Sequence, residues 1–129
     1  MSNYSIKKRV DLDYEKALEK VKKELKKEGF GVLSELDLKK IFKEKIDKDV
    51  KKYTILGACN PKFAQQSIGI EKEVGLLLPC NVVVYIDDSN NTIVTAVDPI
   101  KSLGLSKKIK VNKISEKIFN RLKNVMEKM

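Results

Sequence analysis

The stretch that decides the fold runs from Asn81 to Val97: Asn81-Val82-Val83-Val84-Tyr85-Ile86, then Asp87-Asp88-Ser89-Asn90-Asn91, then Thr92-Ile93-Val94-Thr95-Ala96-Val97. Two β-branched runs flank a polar pentapeptide, the pattern of a β-hairpin. The first run is apolar enough to be a strand buried on both faces or nearly so. Asp98-Pro99 ends the second, because proline cannot donate to a strand ladder.

Working outward, the clearest helix lies near the N-terminus. Tyr14, Ala17, Leu18, Val21 and Leu25 form one apolar stripe at helical spacing, with Asp11 or Asp13 as cap and Gly29 as stop. Before it, Tyr4 to Val10 alternates as a strand, and after it Phe30 to Leu36 reads as a second. Asp37 caps a short helix ending near Ile46. Tyr53 to Ala58 is a third strand. Asn60-Pro61 then opens a short helix to about Ser67, broken by Gly69, since asparagine suits the cap and proline the first helical position. Ile114, Ile118, Phe119, Leu122, Val125, Met126 and Met129 mark a long final helix. Mostly sequential strands favour an α+β fold, an antiparallel sheet with helices packed on one face. The 129 residues read as one domain, 1–129.

Charge and composition narrow the function. The net charge is +9, but it is unevenly spread. Residues 1–52 carry 16 basic and 11 acidic side chains, residues 53–100 two and five, and residues 101–129 nine and two. The basic flanks read as solvated helix faces. With only Arg9 and Arg121 as arginines, and no aromatic residues interleaved with the lysines as stacking platforms would require, nucleic acid is the weakest partner class. No apolar run suits a membrane span, and Met1-Ser2-Asn3-Tyr4 lacks a secretory signal, so the expectation is a cytoplasmic protein with no membrane association and with cysteines kept as thiols.

The absence of histidine excludes Ser-His-Asp triads, Cys-His pairs and histidine metal sites. No phosphate-binding glycine motif is present. No catalytic residue, metal ligand or cofactor is therefore assigned. Two matching dipeptides stand out instead, Cys59-Asn60 and Cys80-Asn81, with Glu71, Glu73 and Asp98 as the carboxylates considered beside them and Asp98 kept in the candidate site. Cys59 precedes a helix start, where unpaired N–H groups favour a thiolate. Asn60 and Asn81 suit a small polar site for an anion or small molecule. The plainer alternative is two packed thiols, an asparagine cap and a turn asparagine.

These residues also carry a resemblance. Tyr53 to Pro61, Gly75 to Tyr85, Asp98-Pro99 and the upstream Gly29-Phe30-Gly31-Val32-Leu33-Ser34-Glu35-Leu36-Asp37 resemble the domain-of-unknown-function 302 family of bacteria and archaea. The resemblance implies a β-α-β-β-β-β-α arrangement related to the TATA-binding-protein fold, and pairing as a homodimer. It implies no activity. The expected function is a homodimeric, non-enzymatic binding or assembly module with its site at Cys59, Asn60, Cys80, Asn81 and Asp98. The alternatives are a thiol-based redox or sulfur-handling protein using Cys59 and Cys80, and last a nucleic-acid binder.

Overall fold

The computed structural model describes residues 3–129; Met1 and Ser2, half of the terminus read above for a signal, lie outside the described residues. Five strands, β1 (Ser5–Val10), β2 (Gly31–Asp37), β3 (Tyr53–Cys59), β4 (Cys80–Ile86) and β5 (Thr92–Val97), form one antiparallel sheet in the order β1-β5-β4-β3-β2. Five α-helices accompany them: α1 (Tyr14–Lys27), α2 (Leu38–Ile46), α3 (Pro61–Ile70), α4 (Pro99–Leu103) and α5 (Ile109–Glu127). With the short inserts set aside, the order is β-α-β-β-β-β-α, in an α+β fold.

The deciding hairpin forms as read. Asp87 closes it by accepting from the amides of Ser89 and Asn91 at 3.0 and 2.8 Å. Those amide bonds hold its carboxyl below the usual range. Along β4, however, the two faces differ. Val82 and Val84 are buried, whereas Val83 and Tyr85 are half-covered and Asn81 is exposed. The strand is fully buried on one side only.

The buried side is the core. Leu56, Ala58, Val82, Val84, Val94 and Ala96 of the sheet meet the α1 stripe and Val111, Ile114, Ile118, Leu122, Val125 and Met126 of α5. Asp13 caps α1, its Oδ1 accepting from Lys16 N at 2.9 Å. At the other end Gly29 takes φ 86°. Its amide reaches Lys26 O and that of Phe30 reaches Leu25 O, a Schellman turn that brings buried Phe30 back over Leu25. Lys8, on the core side of β1, extends its amine to Met126 O and Glu127 O, where a cation complements the C-terminus of α5.

Some expectations needed adjustment. Helix α3 continues through Gly69 to Ile70. The Asp98-Pro99 pair does more than stop β5: Asp98 caps α4, accepting from Ile100 N at 2.9 Å. The final helix begins at Ile109, ahead of the stripe that announced it.

Candidate functional site

Strands β3 and β4 pair with Ala58 opposite Cys80 and Gly57 opposite Asn81. This register brings the two Cys-Asn dipeptides to the same end of neighbouring strands. Strand alternation then separates their members. Cys80 turns into the core at 5% exposure, and Asn81 turns to the opposite, open face. Cys59 is half-buried. With Phe30, Asn60, Pro79 and Cys80 it lines a crevice of about 10 Å³, room for one water at most.

Both cysteines are free. Burial pushes the Cys80 thiol up to about 12, with the neighbouring Cys59 adding to the shift. At neutral pH it is a thiol and a poor nucleophile. Among the described residues, no group of three or more Cys, Asp or Glu is placed to hold a metal ion.

Asn60 occupies the N-cap position of α3, but its side chain makes no capping bond. Its Nδ2 instead donates to Glu28 O at 3.3 Å, across to the turn between α1 and β2. The fit is close: a Cβ at Gly29 would stand 3.1 Å from that nitrogen. Asn60 therefore fastens the Schellman turn to the end of β3, and Pro61 alone marks the helix start. Asp98 is taken up by its cap and by its amide, which donates to Tyr4 O at 2.8 Å. Of the five residues read as one site, Cys59, Asn60 and Cys80 converge, while Asn81 and Asp98 do not join them.

The larger opening lies on the face that α1 and α5 leave uncovered. A cavity of about 490 Å³ is lined by Tyr4, Ser5, Lys7, Tyr53, Asn81, Val83, Tyr85, Thr95, Ala96 and Val97. Its floor follows from the register. Lys7 stands opposite Thr95, Thr95 opposite Val83, and Val83 opposite Ile55, one row across four strands. In the adjacent row Tyr53 and Tyr85 stack with centroids 5.5 Å apart at 28°. Lys7 Nζ lies 6.0 Å from the Tyr85 centroid, within reach of a cation–π contact. The lining includes this one cation and no carboxylate. Thr95 Oγ1 is shielded from solvent and has no hydrogen-bond partner, which costs about 1–3 kcal/mol for a buried hydroxyl.

The sequence reading missed these residues apart from Asn81. Treating residues 81–86 as buried on both sides hid the open face. Alternation alone put Asn81, Val83 and Tyr85 on one side, but Thr95 reaches Val83, and Lys7 reaches Thr95, only through the strand register.

The family model described as Domain of unknown function DUF302 matches residues 6–129. The chain belongs to that family. Its fold agrees with a crystal structure of an uncharacterized conserved protein DUF302 from Bacillus stearothermophilus, with a TM-score of 0.90 and 26% identity over 98% of both chains. No curated protein matches the chain. The DUF302 match thus runs from Ile6 in β1 through α5, and takes in the Cys-Asn crevice and all of the open-face lining except Tyr4 and Ser5.

Proposed function

We propose that the chain is a non-enzymatic binding module whose ligand, a small anion with a flat apolar body, occupies the open face of the sheet. The observation that carries this reading is the cavity of about 490 Å³, within the range of small-molecule sites. Val83, Val97 and the stacked tyrosines offer apolar surface, and Lys7 offers the only charge. Asn81 adds a polar contact at the rim. Thr95 Oγ1 gains a partner if the ligand displaces the side chains that cover it.

Calorimetric titration with naphthoate and with neutral naphthalene methanol tests the reading. Naphthoate should bind more tightly than the alcohol, and Lys7→Gln should abolish the difference while leaving the fold intact. Equal binding of acid and alcohol, or no heat from either, contradicts it.

We further propose that the module works as a homodimer joined through β2. This edge strand is exposed along nearly its whole length and carries exposed Leu33 and Leu36, beside exposed Ile46 of α2. An unpaired edge with exposed aliphatic side chains is a template for a second strand. Sedimentation equilibrium should give a dimer, and Leu33→Lys with Leu36→Lys a monomer. A monomeric parent chain refutes this pairing.

A further inference from the structure

A second surface stands apart from the open face, at the corner where α4 turns into α5. Residues 99–115 contain five lysines and no acidic residue. Among the described residues, none of Lys101, Lys107, Lys108, Lys110 and Lys113 has a carboxylate partner, whereas Lys22, Lys27, Lys43 and Lys52 are all ion-paired. Within the same segment Leu105 is 71% and Ile109 72% exposed, and Ile100 is exposed to a lesser degree. Leu76, 85% exposed, belongs to the neighbouring 3-10 turn Lys72–Leu77. That turn packs on α4, and the loop before α5 is tied to the residue preceding the turn by Ser106 Oγ donating to the Glu71 carboxylate.

Lysines without partners and bare aliphatic side chains on one corner must suit one occupant. A second copy docking through the same patch would set five lysines against five, and like charges would oppose it. Nucleic acid would use the lysines but leave the leucines and isoleucine wet. The segment also has no arginine to grip phosphate bidentately and no aromatic ring on which a base could stack. An anionic bilayer uses both features, since aliphatic side chains enter the boundary below the headgroups while lysines meet lipid phosphate and carboxylate.

We propose that the α4–α5 corner docks the protein on the surface of an anionic lipid bilayer, with Leu76, Leu105 and Ile109 inserted and the five lysines against the headgroups. This departs from the absence of membrane association expected from the sequence. It requires no span, and among the described residues no helix is long and apolar enough to cross a membrane. Surface docking needs only a local patch, which hydropathy over a long window does not register.

Co-sedimentation of the full chain with vesicles of phosphatidylcholine alone, or mixed with phosphatidylserine, tests the proposal at physiological ionic strength. The protein should pellet with the mixed vesicles and stay in solution with phosphatidylcholine. Each lysine near an anionic surface is worth about fivefold in partitioning, so Lys107→Glu/Lys108→Glu/Lys110→Glu should lose at least about a hundredfold. Leu105→Ser/Ile109→Ser keeps every charge and should still lose at least about tenfold. All five positions are exposed, and unchanged thermal melting of the variants excludes misfolding as the cause. The proposal is overturned if mixed vesicles leave the protein in solution, or if the Leu105/Ile109 variant binds as well as the parent. It is equally overturned if duplex DNA binds more tightly than mixed vesicles at the same ionic strength.

Discussion

Alkaline pH should destabilise the chain through Cys80, and the size of the effect follows from where the thiol sits. Its pKa rises from 9.0 to about 12 on burial. A group whose folded value is raised contributes fully below its unfolded value and loses that contribution as pH climbs toward the folded one. Above pH about 9 the unfolded chain can release the thiol proton while the folded chain holds it. Stability should then fall by about 1.4 kcal/mol per pH unit, reaching about 4 kcal/mol over the three-unit gap. Urea unfolding of the parent and of Cys80→Ala, run from neutral pH to about pH 11, isolates the thiol because other titrating groups are common to both. Cavity and packing terms give a constant offset, and only the slope reports ionisation. Burial remains in a Cys59→Ser background, so there Cys80 should react with iodoacetamide at neutral pH at least about tenfold more slowly when folded than when unfolded. A pH-independent offset between the two proteins, or folded labelling within tenfold of the unfolded rate, would refute the reasoning. It would also reopen the thiol-chemistry reading of the Cys-Asn pair.

Other outcomes follow from single contacts. Tyr14 OH and Thr54 Oγ1 are hydrogen-bonded to each other in the core, so Tyr14→Phe should cost about 1–2 kcal/mol in chemical denaturation by stranding the threonine. Asn60→Ala should cost about 1 kcal/mol and speed hydrogen exchange near Gly29 and Phe30. Asn60→Asp should fail to restore either, because a carboxylate caps helices well but cannot donate to Glu28 O. Thr95→Val removes a hydroxyl without a partner, so denaturation should find it neutral or up to about 1 kcal/mol more stable.

Most of the fold was legible because its signals are local and repeated. The α1 stripe, the Asp37 cap and the 81–97 hairpin each announce themselves within fewer than twenty consecutive residues. Helix α4 escaped although Asp98-Pro99 has the same cap-and-proline form as Asn60-Pro61, because the strand-ending role of proline was given precedence. Gly69 misled in the other direction: a glycine costs a helix only about 1 kcal/mol, and the buried Phe63 and Ser67 on the same helix show that tertiary packing decides its extent.

The candidate site was harder to read, for a reason of geometry. Adjacent residues on a strand face opposite ways, so a dipeptide such as Cys80-Asn81 cannot bring both side chains to one place on a regular strand. Sequence adjacency therefore suggested a site that the sheet divides. The open-face group has the reverse character. Lys7, Tyr53, Val83 and Thr95 come from four different strands and meet only through the register, which no local pattern encodes. The exposed corner at Leu105 and Ile109 was likewise hidden inside a lysine-rich flank that read as solvated helix.

The open-face account is tested most directly by following the backbone amide resonances of the isotopically labelled chain as naphthoate is added. The account predicts saturable shifts clustered on Lys7, Tyr53, Asn81, Val83, Tyr85 and Thr95, with the amides of α1 and α5 unmoved. Shifts confined to the crevice at Cys59 and Cys80, or no saturable shift at all, would contradict it.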